Sequence, residues 1–177
     1  QKIKSDWKIN RSYFIREKYT DVMIGSDHEL DKTSIERDLD CIRVLGLDPV
    51  DKEPELFVTE EEEQWAKEKL KNLKVDPVKK LIMIHPACSQ NHKSWGMERF
   101  VKLSRHLIND CGYQIMGIFS SQEQSVADLL EEEVDGVFIY VGPIRPSMAL
   151  IEQADLMIDN CSGPSHISVA LQVPTIV

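Results

Sequence analysis

The chain has 177 residues, 42% of them hydrophobic and 29% charged, which is the composition of one ordinary globular domain or of one domain with part of a second. The 30 Asp and Glu residues outnumber the 21 Lys and Arg residues, and the formal net charge of −9 disfavours general attraction to nucleic acid or to anionic lipid. No segment is apolar over the length that a membrane-spanning helix needs.

The cysteines and the chain ends give two further expectations. The cysteines are widely spaced and form neither a CxxC motif nor a zinc-ligand cluster, which predicts reduced thiols in a cytoplasm-like compartment; they are Cys41, Cys88, Cys111 and Cys161. The sequence starts at Gln1 and stops within the apolar run of residues 173–177. We therefore expect it to be a portion of a longer protein.

The first 76 residues are predicted to contain two helices. Apolar side chains recur at helical spacing within residues 31–47, at Ile35, Leu39, Ile42 and Leu45. Farther along, Thr59 and Glu62 have the spacing of a capping box, and the glutamates around them suit the positive end of a helix. This acidic run is also compatible with a disordered tail, but apolar residues recur along one side of it and favour the helix.

From residue 77 onward, short apolar strands alternate with helices. The predicted strands are residues 81–85, 114–119, 137–141, 156–159 and 175–177, and the predicted helices are residues 97–111, 121–133, 147–154 and 165–171. Near-continuous apolar runs are typical of buried parallel strands. The pattern predicts an incomplete α/β, Rossmann-like parallel sheet, with ligands bound in the loops beyond the carboxyl ends of its strands.

The loop at residues 85–95, HPACSQNHKSW, is longer than a strand-to-helix connection requires. Ser89 offers a hydroxyl and Lys93 a compact cation, and both suit phosphate oxygens beside a helix N-terminus. Composition alone leaves the alternative that Lys93 is a solvated surface residue and Trp95 a core residue at the start of the helix.

The loop at residues 159–166, DNCSGPSH, is the stronger candidate for a phosphate site. Gly163 allows close approach of the backbone to a ligand, and consecutive backbone N–H groups there would form an anion-binding nest. The loop matches neither GxGxxG nor GxxxxGK[ST], which disfavours an NAD-type site and a P-loop. Simple turn chemistry, with His166 satisfied locally on the helix, remains the alternative.

Two other loops carry weaker signals. Glu123 follows the second strand of the sheet, where an acidic residue often holds a ribose hydroxyl, although it is equally well explained as a helix cap. Residues 142–146 could offer an apolar surface to a nucleobase or form an irregular turn. Spacing alone predicts neither a Ser/His/Asp triad nor a pair of catalytic carboxylates.

The two main loops together, HPACSQNHKSW and then NCSGPSHISVALQVPTIV, resemble glycosyltransferase family 9, the ADP-heptose:lipopolysaccharide heptosyltransferases. The resemblance covers roughly residues 77–177. It implies a GT-B architecture, in which two Rossmann-like halves face each other across a cleft and the C-terminal half holds the nucleotide sugar. Residues 1–76 would then be the end of the N-terminal domain with a helical linker, and residues 77–177 a nucleotide-sugar-binding domain truncated at its C-terminus.

The resemblance also implies roles for individual residues. Carried over by position, the donor-binding residues are Ser89 and Lys93 on the diphosphate, Ser162 and Gly163 on its phosphates, His166 in the same pocket, and Glu123 on the ribose, with residues 144–147 near the adenine. No metal or other cofactor is required by these motifs. Family members usually carry Asp where this chain has Cys161, which leaves the identity of the donor sugar open. The general base of the family lies in the N-terminal half, so we name no catalytic residue here.

The sequence thus predicts an inverting glycosyltransferase that moves a sugar, heptose by resemblance, from an ADP-sugar to a lipopolysaccharide core or related glycan or glycolipid acceptor. This chain alone is expected to be inactive. A nucleotide-binding domain that has lost catalysis and a sugar-nucleotide epimerase of the same architecture are the alternatives. The resemblance places the protein in the cytoplasm, at the inner face of the inner membrane, with peripheral membrane contact through the other half.

Overall fold

The computed structural model describes residues 9–11, 22–24, 32–88 and 91–177. The chain divides into two compact units, Gln1–Glu53 and Pro54–Val177. The predicted domain boundary between residues 76 and 77 therefore falls inside the second unit. Within the described ranges, no helix has both the length and the apolar character needed to cross a membrane.

In the first unit, strand β1 (Ile9–Arg11) pairs in parallel with β2 (Val22–Ile24), and helix α1 (Ser34–Arg43) follows. Neither strand was predicted. Helix α1 is shorter than the predicted residues 31–47 because the Thr33 hydroxyl accepts the backbone N–H of Glu36 and so caps the helix start. At the other end, Gly46 adopts a φ of +78°, a left-handed conformation that ends the helix.

The second unit begins with α2 (Glu60–Asn72) and continues as an alternation of strands and helices. The strands are β3 (Leu81–His85), β4 (Gln114–Phe119), β5 (Phe138–Val141), β6 (Leu156–Asp159) and β7 (Thr175–Ile176). The helices are α3 (Met97–Asn109), α4 (Gln124–Glu133), α5 (Ile144–Glu152) and α6 (Gly163–Ala170). All the strand pairs in this sheet are parallel, and their order is β5-β4-β3-β6-β7. The predicted α/β Rossmann-like sheet is confirmed.

The core consists of two apolar clusters, one on each face of the sheet. Side chains alternate between the faces along β3, so that Met83 joins one cluster while Ile82 and Ile84 join the other. Helices α2, α5 and α6 contribute to the first cluster, and α3 and α4 to the second. The sheet is therefore covered by helices on both faces, which explains why β3 is buried along its whole length.

Helix α2 is an integral part of the second unit. Ala66 in its middle is fully buried in the first cluster. Glu62 near its start binds the guanidinium of Arg145 on α5 through two hydrogen bonds. These bonds from Arg145, together with the N–H of Thr59, lower the pKa of Glu62 to about 2. Helix α2 thus packs against α5 and forms an ion pair with it, so α2 stabilises the domain that contains the sheet.

Two helices start earlier than predicted, and each has a proline in its first turn. Helix α5 begins at Ile144 with Pro146 in its first turn, and α6 begins at Gly163 with Pro164 there. A proline is tolerated in the first turn because the N–H that it lacks would have no partner within the helix. The loops after β5 and β6 are therefore shorter than predicted, and the N-terminus of α6 lies close to the end of β6.

Candidate functional site

The centre of the site is a pair of polar residues at the carboxyl ends of β3 and β6. In the sheet, β4 lies on one side of β3 and β6 lies on the other. The connection that follows β3 leads to β4 and the connection that follows β6 leads to β7, so the two connections run in opposite directions. His85 and Asp159 are paired in register at this point. The Nδ1 atom of His85 lies 3.0 Å from Oδ1 of Asp159. Ligands of open parallel sheets bind where the strand order reverses, and this pair marks that position.

Asp159 is buried and anchors the turn that leads into α6. Its Oδ1 accepts the backbone N–H of Asn160 at 2.7 Å, and its Oδ2 accepts those of Ser165 at 2.8 Å and Ser162 at 3.3 Å. The Ser162 hydroxyl also lies within 2.8 Å of both oxygens. A negative charge at a helix N-terminus is favourable. The carboxylate therefore occupies, from inside the protein, part of the anion-binding nest that the sequence predicts at residues 159–166.

On its other side, the His85 ring faces Glu123. The distance from Nε2 to Oε1 of Glu123 is 3.3 Å. The second oxygen of Glu123 accepts the backbone N–H and the hydroxyl of Ser120, at 2.7 and 2.8 Å. His85 is 4% exposed and lies between two carboxylates contributed by different segments of the sheet. We call these three residues, Glu123, His85 and Asp159, the central triad.

The ionisation of the triad follows from competing effects. Burial is the largest influence on the pKa of His85 and lowers it, but the hydrogen bond and charge of Asp159 and the charge of Glu123 outweigh burial, so the pKa of His85 lies above its ordinary value. Burial raises the pKa of Asp159, yet hydrogen bonds from His85 and Ser162 leave it lowered. The pKa of Glu123 is likewise raised by burial and brought below its ordinary value by Ser120 and His85. All three groups are therefore favoured in their charged forms.

Asn160 joins the loop after β3 to the loop after β6. Its amide nitrogen donates to the carbonyl oxygen of Pro86 at 2.7 Å, and its amide oxygen accepts the backbone N–H of Trp95 at 2.8 Å. The Cys88 thiol lies 3.8 Å from the carbonyl oxygen of Asn160. The two loops that the sequence singles out thus meet at one edge of the sheet.

A cavity of about 350 Å³ opens beside the triad. The polar residues that line it include His85, Ser120, Glu123, Ser147 and Ser162, and the large apolar residues are Ile118, Phe119, Ile144, Ile151 and Ile167. Gly163 also lines the cavity, and a Cβ added there would meet no atom within 4 Å. The volume and the mixture of a few polar groups with an apolar wall are those of a small-molecule site.

The predicted site residues are distributed unevenly around this cavity. Glu123, Ser162 and Gly163 line it. Lys93 is exposed and lines a separate, larger apolar groove of about 750 Å³. Cys161, with a φ of +52°, lines both spaces and so lies between Lys93 and the cavity. His166 is exposed on α6 and is not among the lining residues, while Ser89 lies outside the described residues.

Sequence reasoning missed His85 and Asp159, which it treated only as strand ends. Each is a titratable residue that terminates an otherwise apolar strand. The sequence did contain a signal for this pair, namely the polar residue at the carboxyl end of each strand. Such side chains meet in space when their strands flank a reversal of strand order. Among the residues that the structure describes, no three His, Cys, Asp or Glu side chains are grouped as a metal ion would require.

Comparison with protein families identifies the chain. The model of glycosyltransferase family 9 (heptosyltransferase) matches residues 14–177. The chain belongs to glycosyltransferase family 9. No curated protein sequence shows a significant match to it.

Solved structures of family members show the same fold. A glycosyltransferase family 9 structure from Veillonella parvula superposes with a TM-score of 0.80 at 18% identity, over 97% of this chain and 50% of that one. The E. coli ADP-heptose lps heptosyltransferase II gives 0.61 at 21% identity, over 72% and 40%. The E. coli heptosyltransferase WaaC with ADP-2-deoxy-2-fluoro heptose gives 0.57 at 20% identity, over 89% and 47%. The chain thus spans half or less of each of these structures, and the predicted Rossmann-like part of a GT-B glycosyltransferase is confirmed.

Proposed function

We propose that this protein is an inverting glycosyltransferase that transfers a heptose from an ADP-sugar to a lipopolysaccharide core or a related glycan. The observation that carries the proposal is the cavity at the carboxyl ends of β3, β4 and β6, in a chain of glycosyltransferase family 9. The E. coli heptosyltransferase WaaC is named in one solved structure as a complex with ADP and in another as a complex with ADP-2-deoxy-2-fluoro heptose. A nucleotide-sugar donor is the ligand class that both observations support.

In this proposal the nucleoside occupies the cavity. Glu123 accepts hydrogen bonds from the ribose hydroxyls, because its carboxylate is held at the cavity wall and is favoured in the ionised form. The adenine lies against the apolar wall near Ile144, on the first turn of α5. A ring of this size needs an apolar contact and a small number of polar groups to orient it, and the cavity offers both.

The diphosphate is placed at the N-terminus of α6. The N–H and the hydroxyl of Ser162 already bind Asp159, so the closest approach to backbone falls at Gly163, where no side chain intervenes. Lys93 supplies a cation from the far side of Cys161, and Ser89 and His166 are proposed to complete the phosphate contacts. A helix N-terminus and a lysine can stabilise the negative charge of the departing ADP electrostatically, without a metal ion.

Catalysis requires more than these residues. A direct displacement with inversion needs a base to deprotonate the acceptor hydroxyl, and we assign that base to the N-terminal half of the family's architecture. The whole protein is proposed to work at the cytoplasmic face of the inner membrane, with a glycan or glycolipid acceptor and peripheral membrane contact made by the other half.

Substitution of Gly163 tests the donor site. In Gly163→Ala the added methyl group has open space, so thermal stability is expected to equal that of the wild type or to exceed it slightly. Affinity for ADP, measured by calorimetry on the full-length protein, is expected to fall about tenfold or more. The methyl group would occupy the space through which the diphosphate reaches the backbone N–H, and a hydrogen bond to a charged group contributes about 1.5–3 kcal/mol.

The matched control is Val169→Ala, an exposed position on the same helix that does not line the cavity. It is expected to leave ADP affinity unchanged. Equal affinities in both variants would contradict the placement of the diphosphate at α6. A stronger response to UDP than to ADP in the wild type would favour an epimerase over the proposed transferase.

A further inference from the structure

His85, the middle residue of the central triad, is given no part by the proposed function. It lies at the floor of the cavity, buried, while Glu123 and Asp159 approach its two ring nitrogens from opposite sides. A buried charged residue at the point where the strand order reverses calls for an explanation beyond packing.

The contacts of the ring identify its protonation state. A neutral imidazole has one N–H donor and one lone pair, whereas an imidazolium has two donors. Ionised carboxylates only accept hydrogen bonds, and one lies at each nitrogen of His85, 3.0 Å away at Nδ1 and 3.3 Å away at Nε2. The Ser162 hydroxyl lies 2.9 Å from Nδ1, but its one proton is also within reach of both oxygens of Asp159, at 2.8 and 2.7 Å. A neutral ring would thus direct a lone pair towards a carboxylate, whereas the imidazolium donates to both carboxylates and leaves the Ser162 proton to Asp159.

Loss of the proton would affect the two carboxylates unequally. The Asp159 side chain is fully buried and accepts three backbone N–H groups, so it has no room to move. The Glu123 side chain is 29% exposed, faces the cavity and has Ser120 as its other partner. Deprotonation of His85 would consequently release Glu123 while Asp159 stayed in place.

We propose that His85, as an imidazolium, is a positioning residue that holds Glu123 in the orientation that receives the ribose hydroxyls of the nucleotide-sugar donor. This inference rests on the proposed function, since it assigns Glu123 to the donor. Donor binding and protonation of His85 are then coupled, and each favours the other by the same factor.

Within residues 32–88 and 91–177, the groups that face His85 from each neighbouring element are few. They are Asp159 at the end of β6, Glu123 after β4, the Ser162 hydroxyl at 2.9 Å before α6, and the ring of Phe119 with its centroid 6.1 Å away. The Cys88 thiol lines the same cavity. Both charged neighbours are acids with lowered pKa values, whereas the pKa of His85 is raised, so His85 is the group of the triad that loses its proton as pH rises above its ordinary pKa.

The sign of the pH effect follows from this direction. The pKa of His85 is raised above its ordinary value of 6.5, so the imidazolium is complete below that value and is lost as pH rises through the raised pKa. ADP affinity of the full-length protein is expected to be constant at the acidic end and to weaken at the alkaline end by about five- to hundredfold. At pH values near the pKa of His85, ADP binding is expected to take up protons. Calorimetry in buffers of different ionisation enthalpy measures this proton uptake on the wild type, without any substitution.

Two variants isolate the histidine responsible. His85→Gln removes the titrating group from the triad, and ADP affinity is expected to become weak and to lose this pH step. His106→Gln is the matched control, because His106 on α3 also pairs with a carboxylate, Asp110 at 2.6 Å, but is exposed and does not line the cavity. It is expected to keep the wild-type profile, including any contribution from titration of the ADP phosphate itself.

Each outcome decides a point. A wild type that binds ADP with the same pH profile as His85→Gln, or that takes up no protons on binding, overturns the positioning role and leaves the proposed function standing. A wild type that binds no nucleoside diphosphate at any pH overturns the proposed function and this inference with it. If His85→Gln does not fold, the proton uptake of the wild type still decides, together with its loss in Glu123→Gln.

Discussion

Asparagine is expected to be a poor substitute for Asp159 despite its identical shape. Both carboxylate oxygens act only as acceptors, Oδ1 towards His85 and the N–H of Asn160, and Oδ2 towards the N–H groups of Ser162 and Ser165. In Asp159→Asn one oxygen becomes an NH₂ group that must face an N–H donor, and the buried imidazolium loses its closest anion. Breaking a buried ion pair by removing one partner costs about 3–5 kcal/mol, and we expect a loss of that size here.

Urea unfolding of the chain at pH 7, followed by circular dichroism, measures this loss as a shift in midpoint at constant slope. The control is Asp155→Asn, at the opposite end of β6. Asp155 binds Lys80 at 2.6 Å and accepts the N–H of Leu81 at 2.9 Å, but its side chain is 37% exposed, so about 1 kcal/mol or less is expected. If the two variants unfold within about 1 kcal/mol of each other, Asp159 does not anchor the turn into α6 and the account of the triad is wrong.

Two further substitutions test the fold around the site. Gly117→Ala on β4 would place a methyl group 2.6 Å from the ring of Phe119 and 2.8 Å from a methyl group of Leu130, and both of these side chains are almost wholly buried. Thermal denaturation is therefore expected to show a loss of stability of about 1–3 kcal/mol. Unchanged stability would refute this packing. Thr59→Ala removes the hydroxyl that accepts the N–H of Glu62 at the start of α2, and a loss of about 1 kcal/mol is expected in the same assay, whereas Thr59→Ser should retain wild-type stability.

The sheet could be predicted from the sequence to a large extent, because its strands are continuous apolar runs. The bounds predicted for β3, β4 and β6 are confirmed at both ends. By contrast, β1 and β2 have three residues each, too few for a periodic pattern to distinguish them from loop. Helices α5 and α6 start at residues 144 and 163 rather than at the predicted residues 147 and 165, because the residues of their first turns were assigned to the preceding loops.

The site could be predicted only as a pair of loops. The hydrogen bonds of Asn160 to Pro86 and Trp95 join the two loops, as expected from the shared edge at which parallel strands end. The contact between His85 and Asp159 joins residues 74 positions apart and depends on which strands are neighbours. Local patterns do not contain the strand order, so the sequence indicated the edge of the sheet but not the triad at its centre.

The charge of the triad constrains how a nucleoside diphosphate can lie in the cavity. With His85 protonated, the two carboxylates leave one net negative charge at the polar end, and no lysine or arginine is among the described residues that line the cavity. Such an end repels phosphate and favours hydroxyl groups as hydrogen-bond donors. The ribose rather than the diphosphate is therefore expected there, and the phosphates extend past Gly163 towards Cys161, beyond which Lys93 lies.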